Sequence, residues 1–176
     1  MKTLILGGVR SGKSRYAEQL AIESAKKLQG KLVYIATSQP QDKEMQQRVA
    51  EHQAQRKLSG EDWLTVEENL YLSNTIETLT NANTTILIDC LTLWMTNLLC
   101  HSDNQLLETE TQKILELLPK LTGNIIFVSN ETGLGIVPMD KLTRQFVEKM
   151  GLFHQNLASV CEHVDFVVVG LPMKIK

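Results

Sequence analysis

The stretch Thr3-Leu4-Ile5-Leu6-Gly7-Gly8-Val9-Arg10-Ser11-Gly12-Lys13-Ser14-Arg15-Tyr16-Ala17 decides the fold. Residues 3–6 are an apolar run of strand length, and residues 15–28 carry Ala17, Leu20, Ala21 and Leu28 on helical spacing, with Gly30 as a stop. Between them, residues 7–14 satisfy G-x-x-x-x-G-K-[ST] in the strand–loop–helix setting that this motif requires. Its glycines let the backbone wrap around an anion with N–H groups turned inward, and the helix that follows adds its positive end. Gly7, Gly8, Val9, Arg10, Ser11, Gly12, Lys13 and Ser14 are therefore expected to bind nucleotide phosphates. Lys13 would meet the β- and γ-phosphates, and the Ser14 hydroxyl would bind Mg²⁺. A glycine-rich turn without a ligand is the alternative, and it leaves four constrained positions without a reason.

Working outward, apolar runs and helical patterns alternate along the chain. Strands are expected at residues 32–36, 63–66, 85–88 and 125–129, and helices at 42–57, 70–79, 91–99, 106–118 and 142–160. Residues 164–169 and 171–175 close the chain as a hairpin or two neighbouring strands. This alternation implies an α/β fold, a mainly parallel sheet flanked by helices, of the P-loop NTPase-like kind. With 176 residues and no repeat, low-complexity tract or linker, residues 1–176 are expected to form a single domain.

Composition removes several function classes. Lys and Arg total 18 against 20 Asp and Glu, a net charge of −2, so there is no general basic field to hold nucleic acid. No apolar stretch approaches the ~20 residues needed to span a bilayer, and the first residues lack the apolar run of a signal peptide. A cytoplasmic location is expected. Cys90, Cys100 and Cys161 show no Cys-x-x-Cys spacing and read as reduced thiols.

Two further constellations bear on chemistry. Asp89 follows the apolar run Thr85-Ile86-Leu87-Ile88 and fits the carboxylate that a phosphate-loop enzyme places near its metal, although a residue there can also cap the next helix. Glu131 is a second carboxylate beyond Phe127-Val128-Ser129. Arg48, His52 and Arg56 recur every four positions on one helix face. Flanking guanidiniums oppose protonation of the imidazole and can grip a polyphosphate, which suits histidine attack on phosphorus, but the spacing alone equally suits a solvated polar face. Glu67 could accept hydrogen bonds from a guanine or a ribose. These features indicate a nucleoside triphosphate and leave the acceptor open: a kinase for some other small-molecule hydroxyl, or a nucleotide-dependent switch, fits them as well.

Several segments, taken in order, resemble the bifunctional adenosylcobinamide kinase/adenosylcobinamide-phosphate guanylyltransferase family of cobalamin biosynthesis. They are residues 7–15, Tyr34-Ile35-Ala36-Thr37, Glu44-Met45 with Arg48 and His52, Trp63 with Thr65 and Glu67, Asp89-Cys90-Leu91-Thr92 with Thr96-Asn97-Leu98-Leu99, and Ser129-Asn130-Glu131-Thr132-Gly133-Leu134-Gly135-Ile136-Val137-Pro138. The last block is absent from generic P-loop kinases. The resemblance implies phosphorylation of adenosylcobinamide with ATP or GTP, then transfer of GMP from GTP to the phosphate through a guanylylated histidine, which falls on His52. It further implies GTP contacts from Ala36, Thr37, Ser38, Glu67 and Asp89, and a homotrimer with active sites between subunits.

Overall fold

The computed structural model describes residues 1–38, 47, 54, 56 and 60–176. In chain order its elements are β1 (Lys2–Gly7), α1 (Lys13–Leu28), β2 (Lys31–Ala36), β3 (Trp63–Glu67), α2 (Leu72–Leu79), β4 (Thr84–Asp89), α3 (Leu91–Leu99), α4 (Leu106–Leu117), β5 (Asn124–Asn130), α5 (Lys141–Val160), β6 (His163–Val168) and β7 (Leu171–Lys174). The strands form a seven-stranded sheet in the order β3-β2-β4-β5-β1-β6-β7. Pairing is parallel except for β7, which runs antiparallel to β6. The inner strands read as nearly continuous apolar runs because helices cover both of their faces.

The two faces carry different cores. Leu4, Val33, Ile35, Ile86, Ile88, Ile125, Phe127 and Val164 point to the side covered by α2, α3, α4 and α5, where Trp94, Met95 and Phe153 fill the space. Ile5, Leu32, Tyr34, Leu87, Ile126, Val128 and Val167 point to the other side, onto α1. The buried apolar residues of α1 are Ala17, Ala21 and Ala25, so that helix lies close against the sheet. Fully buried Glu110 on α4 accepts hydrogen bonds from Ser73 N–H (3.2 Å) and Ser73 Oγ (2.9 Å), which fastens α2 to α4.

Among the described residues, element types follow the sequence, and several ends shift for identifiable reasons. Helix α1 starts at Lys13 rather than at residue 15, because Gly12 takes a left-handed conformation (φ 93) and lets the helix begin directly after it. Helix α2 starts at Leu72 rather than 70, because Glu68 accepts the Leu70 and Tyr71 N–H groups at 2.8 Å each and holds those residues in a turn. The segment at 106–118 gives way at Leu118–Lys120 to a 3-10 turn containing Pro119. The chain closes as a hairpin: Val168 pairs with Leu171, and Val169 (φ 47) and Gly170 (φ 83) form the turn. The helix expected at 42–57 lies largely outside the described residues, of which Gln47, Ala54 and Arg56 are helical.

Candidate active site

The phosphate loop joins β1 to α1 at the carboxyl edge of the sheet. A Cβ on Gly7 would stand 2.6 Å from Ser11 Oγ and 2.7 Å from the Val167 carbonyl oxygen, so the loop packs directly on β6 and admits no side chain there. The N–H of Ser11 donates to Gly8 O (3.3 Å), and Arg10 adopts φ 56 to complete the turn. No side chain caps α1 and no acidic residue occupies its first turn, which leaves its amide groups and positive end directed at the loop interior. Lys13 is buried, and its Nζ donates to Gly8 O (3.2 Å) across the loop. On the outer side the hairpin turn steadies the loop. Gly170 N–H donates to Ser11 O (2.7 Å), and a Cβ on Gly12 would come within 3.0 Å of Gly170 Cα.

Strand alternation places the other expected residues on the same side. Leu87, Tyr34 and Val128 face α1, so Asp89, Ala36 and Asn130, two residues further along their strands, do too. Ala36 is in register with both Asp89 and Glu67, and Asn130 is in register with Gly7. Asp89 does not cap α3: the cap position belongs to Cys90, and that helix has no side-chain cap. The Asp89–Cys90 peptide is cis and is held by fully buried Thr37, whose Oγ1 donates to Cys90 O (2.7 Å) and accepts from Cys90 N–H (2.8 Å). Asn97 Nδ2 in turn donates to Thr37 O (3.0 Å) and Asn69 O (3.2 Å). The Thr37 side chain thus braces Asp89 from behind, and half-buried Ser38 follows it at the edge.

Arg48 and His52 lie outside the described residues. Arg56, expected as a phosphate grip, is buried with its guanidinium 3.5 Å above the Tyr34 ring and 3.7 Å from Glu18 Oε1 on α1. Burial pushes the Glu18 carboxyl up to about 7 against the opposing pull of Arg56, with the nearby Asp89 charge adding to the rise. Arg56, Glu18, Tyr34 and Asp89 therefore interact electrostatically beside the phosphate loop.

At the end of β5, residues from three elements meet. His154 Nε2 on α5 lies 2.8 Å from Ser129 Oγ, Ser129 Oγ lies 3.4 Å from Thr92 Oγ1 on α3, and Thr92 Oγ1 accepts the Asn130 N–H at 2.8 Å. Burial lowers His154 from 6.5 to about 4, a shift that the Glu131 charge only partly resists, so its ring is neutral at physiological pH. Glu131 turns the chain after β5 by accepting from Gly133 N–H (2.7 Å) and Leu134 N–H (3.1 Å).

Phosphate-loop geometry is common to many nucleotide enzymes, and full-length similarity narrows the choice. The family model described as cobinamide kinase / cobinamide phosphate guanyltransferase matches residues 3–175. The chain belongs to this family. Among its relatives, the bifunctional adenosylcobalamin biosynthesis protein CobP of Pseudomonas aeruginosa is 51% identical across 100% of this chain and 98% of its own length. CobU proteins with the same bifunctional description, from Escherichia coli and Salmonella typhimurium, are 36% and 33% identical, each over the full length of both chains. In fold, the chain resembles a KaiC-like protein of Pyrococcus horikoshii, with a TM-score of 0.52 at 13% identity, covering 94% of this chain and 69% of that one.

Sequence reasoning did not bring Thr92, Asn130 and His154 together at the end of β5. Asn130 carried a local signal, a polar residue at the carboxyl end of a buried strand neighbouring β1. Nothing local connects His154 to Ser129, because the contact depends on how α5 packs on the sheet.

Proposed function

We propose that this chain phosphorylates adenosylcobinamide with ATP or GTP and then transfers GMP from GTP to that phosphate, giving adenosylcobinamide-GDP. The observation that carries this reading is an uncapped α1 opening from the phosphate loop on the same sheet face as Asp89 and Glu67, in a chain that belongs to the cobinamide kinase / cobinamide phosphate guanyltransferase family. In the kinase step, the loop amides and Lys13 hold the triphosphate and offset the charge on the transferred phosphoryl group. Ser14 and Asp89 offer the donor set that Mg²⁺ accepts, one hydroxyl and one carboxylate completed by phosphate oxygens and water, and the metal would supply charge neutralisation there. In the second step, a nitrogen of His52 bonds to the α-phosphorus of GTP while the bond from that phosphorus to the β-phosphate oxygen breaks and pyrophosphate leaves. An oxygen of the corrinoid phosphate then bonds to the same phosphorus as the N–P bond breaks, returning the histidine.

Radiolabelled GTP tests this proposal. Protein should take label from the α-phosphate and none from the γ-phosphate, and the linkage should be acid-labile and alkali-stable, as expected of a phosphoramidate. His52→Ala should form no adduct while still phosphorylating adenosylcobinamide, and Lys13→Ala should lose the kinase activity and most of the labelling. An adduct that persists in His52→Ala overturns the histidine assignment, and near-normal activity of a folded Lys13→Ala overturns the phosphate-loop assignment.

Assembly as a homotrimer in the cytoplasm belongs to the same proposal. Ile136 and Met139, each 97% exposed after β5, and the exposed strand β7 offer apolar surface for subunit contacts. No described helix is long and apolar enough to cross a membrane. A fully active monomer in sedimentation would refute the trimer.

A further inference from the structure

The end of β5 holds a polar group to which neither reaction step has yet given work. Asn130 is fixed through its backbone: its N–H donates to Thr92 Oγ1, Thr92 Oγ1 lies 3.4 Å from Ser129 Oγ, and Ser129 in turn meets His154. Its side chain is not fixed in this way. Oδ1 is buried and has no hydrogen-bond partner among the described residues. Such an acceptor is uncommon, because it gives up water without a replacement. The residue as a whole is only half-buried, and an Asn amide turns readily about its terminal torsion. Because Oδ1 makes no bond with the described residues, turning it toward a bound substrate breaks none of theirs.

Position indicates what the amide would meet. β5 lies between β4, which ends in Asp89, and β1, which ends in the phosphate loop, and Asn130 faces the α1 side from a place in register with Gly7. A triphosphate held by Lys13 and completed at Asp89 brings its γ-phosphoryl group into this interval. A phosphoryl oxygen accepts hydrogen bonds, which suits Nδ2, whereas an attacking hydroxyl has a proton to donate, which suits Oδ1.

We propose that Asn130 is a catalytic residue of the kinase step, donating from Nδ2 to the γ-phosphoryl group and accepting at Oδ1 from the acceptor hydroxyl. This inference rests on the kinase reading above. In that step the hydroxyl oxygen bonds to the γ-phosphorus, and the bond to the β–γ bridging oxygen breaks with its electron pair leaving on the nucleoside diphosphate. The hydroxyl proton passes to an oxygen of the transferred phosphoryl group and from there to solvent. Asn130 keeps its own protons and aligns the two reacting groups. In guanylylation the γ-phosphate departs within pyrophosphate and the α-phosphorus is attacked, so Asn130 touches no reacting atom.

The test compares wild type, Asn130→Ala and Asn130→Asp in ATP-dependent phosphorylation of adenosylcobinamide and in labelling by GTP at its α-phosphate. Asn130→Ala should lower kcat for phosphorylation about a hundredfold. Its KM for ATP should stay within about threefold of wild type, and its GMP labelling should be retained. Asn130→Asp matches the shape but lacks the donor and adds charge beside phosphate, so it should be equally slow, and it decides the matter alone if Asn130→Ala does not fold. A kcat within about threefold of wild type, or a parallel loss of ATP affinity and labelling, overturns the assignment. A wild type that phosphorylates nothing overturns the kinase reading itself, an outcome distinct from a normal Asn130 variant of an active enzyme.

Discussion

Acidification should destabilise this protein through one half-buried imidazole. His154 sits against Ser129 with its folded-state value lowered from 6.5 to about 4. Between those values the unfolded chain binds a proton that the folded chain refuses, so stability rises with pH across that window and is lost as pH falls through it. The full gap corresponds to about 3 kcal/mol once both states are protonated, and about 2 kcal/mol of it is lost between pH 7 and pH 5. His154→Gln removes the titration and keeps an amide able to pair with Ser129 Oγ. Urea unfolding of wild type and His154→Gln at pH 7, 6 and 5, at one fixed protomer concentration, isolates the contribution. The stability difference between the two proteins should move against wild type by about 2 kcal/mol as pH falls from 7 to 5. A difference constant to about 0.5 kcal/mol, or an imidazole NMR titration centred near the ordinary value, would refute the reasoning.

Two other substitutions separate the support of the site from the support of the fold. Thr37→Val keeps the shape but leaves the Cys90 N–H and carbonyl without their buried partner, at about 1–3 kcal/mol for each group, so urea unfolding should show a loss of roughly 2–6 kcal/mol. Because those bonds brace Asp89, the Mg²⁺ concentration for half-maximal activity should rise as well. Gly123→Ala forces a side chain onto a φ of 77, with its Cβ 2.3 Å from Asn81 O. It should lower stability by at least about 2 kcal/mol, yet leave nucleotide affinity of the folded protein unchanged, because it lies at the amino edge of the sheet, opposite the phosphate loop.

What the sequence revealed depended on whether a signal was local. The phosphate loop was legible because its chemistry and its strand–helix setting lie within a dozen residues, and the parallel sheet because inner strands buried on both faces cannot alternate polar and apolar. The place of Asp89 at the carboxyl end of an apolar strand was readable, but its bracing by Thr37 was not: Thr37 follows β2 while Asp89 ends β4, and only the register of those two strands brings them together. Arg56 illustrates the converse. A cation every fourth residue resembles an open grip, whereas the structure seats Arg56 over Tyr34 and beside Glu18, partners contributed by β2 and α1. The exact start of α2 depended on Glu68 reaching forward to two amides, a competition between side chain and helix that apolar spacing does not report.

The contact between the hairpin turn and the phosphate loop has a consequence for synthesis. The loop leaves the ribosome long before the Val167 carbonyl that packs on Gly7 and the Gly170 amide that binds Ser11. β1 also needs β6 as its parallel neighbour, from Thr3 against His163 onward. A nascent chain arrested before β6 therefore carries the whole signature motif without the scaffold that shapes it, and it has no competent seat for a triphosphate. Nucleotide capture becomes a property of chains that have passed β6 and the hairpin turn, and the ligand then stabilises only molecules in which both are already in place.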